Sequence, residues 1–152
     1  MTVLLTIVHV FGLITMGCGG LMSTSLLTSY IAKDGATDAF LEGTLLTLLL
    51  GALMFFPTFR ATKKVTRQTG FLLVAITWSV TPVFSAIPFL IYMPSLSFVD
   101  AYFESVSGLT TTGATIFSGI DNLPMSINLW RHELNWIAGM GIIIFAVAIL
   151  PI

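Results

Sequence analysis

Long apolar stretches alternate with short polar breaks along this chain, and their lengths carry most of the information. Residues 1–32 contain no Asp, Glu, Lys or Arg, which is well beyond the roughly 20 apolar residues that a membrane-crossing helix needs. The polar turn Lys33-Asp34-Gly35-Ala36-Thr37-Asp38 interrupts, and a second apolar stretch covers 39–59 with Glu42 near its start. A third runs from 71 to about 92 and contains Pro82 and Pro88, which should kink the helix or open its hydrogen-bond ladder. The fourth, 98–109, differs in kind. At ~1.5 Å per residue it reaches only about half of a ~30 Å hydrocarbon core, so it is predicted to enter the membrane and turn back. Ser97 and Asp100 form a capping box with Asp where Glu or Gln is usual, and Gly108 suits the far end of that helix. Asn122-Leu123-Pro124 has the form of a cap with proline in the first turn, which predicts a last long helix over 124–152.

Composition agrees with a membrane protein: 56% of residues are apolar and 9% charged, and the mean hydropathy is +0.99. The predicted fold class is therefore an all-α membrane protein whose first partner is the lipid bilayer. A net charge of −1 argues against a nucleic-acid surface. The single cysteine, Cys18, excludes an internal disulfide, and with His9 and His132 lone and far apart no metal site beyond a transported ion is expected. Neither H-E-x-x-H nor G-x-S-x-G occurs, and no acid pair has catalytic spacing within one helix, so an enzyme is not expected. The first apolar run lacks a basic leader and is too long for a signal peptide, so it is predicted to be retained.

The basic cluster Arg60, Lys63, Lys64 and Arg67 sets orientation. By the positive-inside rule this loop is cytoplasmic, as is the N-terminus, and the 33–38 turn faces outside. The same cluster also suits lipid headgroups, and the two readings are compatible. Gly12, Gly17, Gly19, Gly20, Gly43 and Gly51 offer close helix approach, while Gly139 and Gly141 mark a narrow or flexible point in the last helix. Trp130 and Trp136 read as an interfacial aromatic belt with His132 beside them, and Arg131 and Glu133 are near enough to the outer surface to snorkel.

Between the half-length helix and the last helix lie Thr110-Thr111-Thr112-Gly113-Ala114-Thr115. Irregular backbone survives at membrane depth only when packed in protein or lining a watery path. A half-helix entering from the outer face aims the negative end of its dipole inward, which favours a cation. Gly113 can take positive φ and turn successive carbonyls to one side, where they replace an ion's water. A threonine-rich turn packed against neighbouring helices is the alternative. Asp100 reads as a helix cap, and Glu104 as a partner for pore-helix or filter backbone groups or else a solvated entrance charge.

The run from Asp100-Ala101-Tyr102-Phe103-Glu104 through Thr110-Thr111-Thr112-Gly113-Ala114-Thr115 resembles the first filter of the Trk/Ktr/HKT potassium transporters, especially the TrkH type. The stretch Trp136-Ile137-Ala138-Gly139-Met140-Gly141 onward is similar to the second pore helix of the same repeat. The resemblance implies an N-terminal transmembrane hairpin with its basic loop over 1–69 and a first pore repeat over 70–152. That repeat divides into an outer helix 70–92, a pore helix 98–109, a filter 110–115 and an inner helix 124–152. It implies potassium uptake across a bacterial inner membrane, with Thr111, Thr112 and Gly113, flanked by Thr110 and Ala114, coordinating K+. The implied partners are a cytosolic NAD/nucleotide-binding regulatory subunit and a homodimer mate, with no cofactor. Members of the family carry four such repeats and this sequence has one. It is expected to be an N-terminal portion of a longer transporter, ahead of a self-assembling homotetrameric channel or an accessory or inert fragment.

Overall fold

The computed structural model describes residues 2–60 and 66–149, and in these the secondary structure is helical throughout, with no strand. Five α-helices follow in order: α1 Thr2–Ala32, α2 Thr37–Thr58, α3 Arg67–Tyr92, α4 Phe98–Leu109 and α5 Met125–Ile149, with a 3-10 turn at Ile120–Asn122 before the last. Helices α1, α2 and α3 each contain a segment long and apolar enough to cross a membrane. Helix α5, at 25 residues, extends about 37 Å at the usual rise per residue. Lys63 and Lys64 of the basic cluster, and positions 150–152 of the last helix, lie outside the described residues.

Helices α1 and α2 form a hairpin whose backbones meet at two glycines. A Cβ placed on Gly51 would lie 2.7 Å from Met16 Cγ and 2.8 Å from the Met16 nitrogen, and one on Gly12 would lie 2.9 Å from the Phe55 nitrogen. Such close approach substitutes backbone contact for the hydrophobic drive that is weak between helices in lipid. Gly17 and Gly20, by contrast, face open space. Near the ends of the same pair, the His9 ring stacks on Phe55 with centroids 4.4 Å apart, and its Nδ1 is 3.1 Å from the Thr58 hydroxyl.

Met22, Phe40, Phe89, Ile127 and Trp130 are fully buried in one core cluster that joins α1, α2, α3 and α5. The position of Trp130 corrects the aromatic-belt expectation: its indole N–H donates to the Ser85 carbonyl at 3.0 Å, whereas Trp136 is 60% exposed. The Tyr102 hydroxyl likewise donates to the Ser79 carbonyl at 2.9 Å. Ser79 and Ser85 each stand three residues before a proline of α3, where the ring disturbs the ladder. Side chains from α4 and α5 thus supply donors to the α3 backbone near both prolines.

The start of α5 differs from the expected local cap. Asn122 closes the 3-10 turn, and Pro124 stands outside the helix with its carbonyl accepting the Asn128 N–H at 3.0 Å. The Ser126 N–H instead donates to Asp34 Oδ2 at 2.9 Å, from 92 positions away. A helix start leaves N–H groups without intrahelical partners, and a carboxylate held there by tertiary structure meets them as well as a neighbour in sequence. Asp34 also accepts from the Ser29 hydroxyl and from the Ala36 N–H at 3.2 Å. Burial pushes the Asp34 carboxyl up, but the bonds from Ser29, Ser126 and Ala36 outweigh it and hold the group below its ordinary value.

Two outcomes follow from this packing. Gly51→Val should destabilise the protein by about 1–3 kcal/mol through overpacking, read as a lower thermal midpoint in detergent, while Gly17→Val should leave that midpoint in place. Because the folded-state value of Asp34 is lowered, its contribution is complete above the unfolded carboxylate value of about 3.9 and is lost as pH falls through the lower folded value. Between about pH 5 and pH 3 the thermal midpoint should therefore fall more steeply for the unaltered protein than for Asp34→Asn. Parallel curves would refute the assignment.

Candidate functional site

Helix α4 starts as its sequence predicts. The Asp100 N–H donates to Ser97 Oγ at 3.1 Å, and that hydroxyl donates to Asp100 Oδ2 at 2.7 Å. At its other end Leu109 shares an apolar cavity with Thr77 and Thr81 of α3 and Ile137 and Ala138 of α5. Those positions lie near the midpoints of both long helices, so the short helix ends at half their height. Gly108 is the contact point: a Cβ there would lie 2.9 Å from Leu134 Cβ. Gly108 packs closely against α5, one residue before the helix ends at Leu109 as expected.

The stop is made by threonine. Thr110 is the C-cap, and Thr111 follows at φ 55°, in the left-handed region. The Thr111 N–H donates to the Gly108 carbonyl at 3.0 Å and the Thr112 N–H to the Ser107 carbonyl at 2.9 Å. This pair of bonds is the Schellman arrangement, with threonine where glycine is usual. A β-branched residue at positive φ is strained. Gly113 then adopts φ 74°, as its lack of Cβ permits. Ser107 holds the loop a second time, its hydroxyl donating to the Ala114 carbonyl at 2.6 Å.

Behind the loop lies Glu104, with 3% of its side chain exposed. Its carboxylate accepts the Thr115 hydroxyl, at 2.9 and 3.1 Å to its two oxygens, and the Ile116 N–H at 3.1 Å. Arg131 Nε of α5 completes the set at 2.6 Å, the one ion pair among the described residues. Arg131 also reaches Asn128 Oδ1 at 3.4 Å and lies 5.7 Å over the Phe117 ring. A polar cavity of about 180 Å³ lies beside this assembly and the loop, lined by Glu104, Ser107, Gly113, Arg131, His132 and Asn135 among others. His132 Nδ1 is 2.7 Å from the Asn128 carbonyl of its own helix.

A family model described as a cation transport protein, TrkH, matches residues 36–152, which is most of the chain. The chain belongs to the TrkH family. It is 43% identical over 146 residues to the Trk system potassium uptake protein TrkH of Halomonas elongata, covering 95% of this chain and 30% of that protein. The protein of the same name from Escherichia coli K12 is 41% identical over 147 residues, with 96% and 30% covered. The crystal structure of the potassium transporter TrkH from Vibrio parahaemolyticus superposes with a TM-score of 0.91 at 39% identity, covering 98% of this chain and 32% of that one. The chain thus spans about 30% of the length of the curated relatives it matches.

Against the TrkH resemblance, the structure brings Thr110, Thr111, Thr112, Gly113 and Ala114 into one exposed loop and places Glu104 behind it and Asp100 at the far end of α4. Ser107 and Arg131 are the residues that sequence reasoning did not assign to the site. For Ser107 the signal was weak, a small hydroxyl three positions before the loop on a half-helix that also carries Asp100, Glu104 and Ser105. Arg131 looked like a snorkelling cation, and only the fold reveals that it turns inward to Glu104.

Arg131→Met should destabilise the protein by about 3–5 kcal/mol, because Glu104 would stay buried without its counter-charge. Combining it with Glu104→Gln should recover a large part of that loss. Thermal unfolding in detergent reads both, and a double variant no better than the single one would show that the pair is not coupled.

Proposed function

We propose that this chain supplies one of the filter strands of a potassium uptake pore in a bacterial inner membrane, with K+ stripped of water by the carbonyls of Thr110, Thr111, Thr112 and Gly113. One observation carries the reading. Among the described residues those four carbonyls accept no hydrogen bond, while the next one, of Ala114, is held by Ser107. Ala114 therefore flanks the ion path and marks where the strand turns back to its support. The Thr110 and Thr112 hydroxyls lie 2.8 Å apart on the same loop and add oxygen ligands. Carbonyl oxygens of this density suit K+ because they offset its dehydration more fully than that of Na+.

A ring around an ion needs several strands. The matched relatives extend well beyond this chain, which supports a pore completed by further repeats, with residues 1–69 as the hairpin and 70–152 as the first repeat. The basic residues Arg60, Lys63, Lys64 and Arg67 support a cytoplasmic N-terminus and 60–67 loop, with the filter opening toward the outer face. A homodimer mate and a cytosolic NAD/nucleotide-binding subunit complete the reading, on the family resemblance.

Gly113→Ser in the complete transporter should cut the ratio of K+ to Na+ uptake about tenfold, since a side chain at this φ costs ~1–2 kcal/mol and reorients the carbonyls. Competition in a flux assay measures it. Normal uptake with an unchanged ratio would overturn the filter assignment.

A further inference from the structure

The hairpin of α1 and α2 grips α5 at two polar points. Asp34 takes the Ser126 N–H at the start of α5. Two turns later Glu133 accepts the Thr24 hydroxyl on one oxygen and the Ser25 hydroxyl, at 3.0 Å, on the other. Ser126 and Glu133 are seven positions apart and so share one face of α5, whereas Arg131, two positions from Glu133, projects from the opposite side. One face of the helix is fastened to the hairpin, and the other carries the guanidinium that braces Glu104, whose carboxylate in turn holds Thr115 and Ile116. A shift or rotation of α5 would move Arg131 with it, because a packed helix moves as a rigid element.

We infer that the N-terminal hairpin is a positioning device for the ion filter: Asp34 and the Thr24-Ser25 hydroxyls set the height and rotation of α5, and through Arg131 and Glu104 they hold the backbone of 115–116 in register. Glu133 serves as a positioning residue in this scheme. The inference rests on the potassium-filter reading for its effect on transport, but its mechanical part stands on the contacts alone.

The test uses the complete transporter carrying Asp34→Ala, or separately the pair Thr24→Ala and Ser25→Ala, with Leu49→Ala on the exposed face of α2 as control. Rubidium and sodium uptake should show the preference for rubidium reduced about fivefold in both altered proteins, the low end of couplings between linked sites, with expression level and particle mass unchanged. Asp34→Asn, which keeps an oxygen for the Ser126 N–H, should fall between. In parallel, backbone hydrogen exchange across 110–116 should quicken about fivefold. Unchanged ion preference together with unchanged exchange would overturn the inference, as would equal effects from Leu49→Ala. If Asp34→Ala yields no folded protein, the hydroxyl pair decides. If the unaltered protein shows no preference for rubidium, the potassium reading fails by itself, and exchange across 110–116 still decides whether the hairpin sets the loop.

Discussion

A carboxylate buried between a short helix and the helix that follows is the constraint on which the loop geometry depends. In a medium of low dielectric the charge of Glu104 would be costly alone. It is met by Arg131, by the Thr115 hydroxyl and by the Ile116 N–H, so its bonds to Thr115 and Ile116 also fix a piece of chain that hydrophobic packing would leave loose. Residues 110–114 are exposed and carry little apolar surface. Their conformation is imposed from behind, by the Glu104 cluster at one end and by Ser107 at the other.

The same economy of polar groups runs through α3. A membrane helix with two prolines has carbonyls whose usual donors are disturbed, and lipid offers no replacement. Tyr102 and Trp130 donate to the carbonyls of Ser79 and Ser85, each next in sequence to the one, of Trp78 or Phe84, that a proline leaves without its N–H. The stretches beside the two prolines are therefore points where α4 and α5 are keyed to α3, which places the short helix at a defined height beside it. The loop that α4 ends in is positioned by those keys as much as by its own sequence.

Membership in the TrkH family gives these contacts a setting. On the proposed filter reading the loop needs carbonyls free of internal bonds and a scaffold that stops them from collapsing, and the strained Thr111 at φ 55° persists because the surrounding bonds over-determine it. The hairpin, which at first sight only anchors the chain in lipid, reaches the scaffold through Asp34, Thr24 and Ser25.

What the sequence determined by itself was local. Long charge-free runs specify spanning helices because lipid rewards apolar composition wherever it lies, a run of 98–109 is too short to cross, and Ser97 with Asp100 caps the helix that begins beside them. The threonine-glycine loop was visible for the same reason, since polar irregular backbone beside apolar runs needs a purpose. Tertiary structure decided which faces meet. Trp130 was indistinguishable from Trp136 until α3 and α5 were packed, the cap of α5 came from Asp34 rather than from the adjoining Asn122, and Gly108 packs on Leu134 while Thr111 takes the left-handed turn that ends the helix. Charges, caps and aromatic rings find partners by distance in space, and a chain that folds back on itself brings together residues that no spacing in the sequence connects.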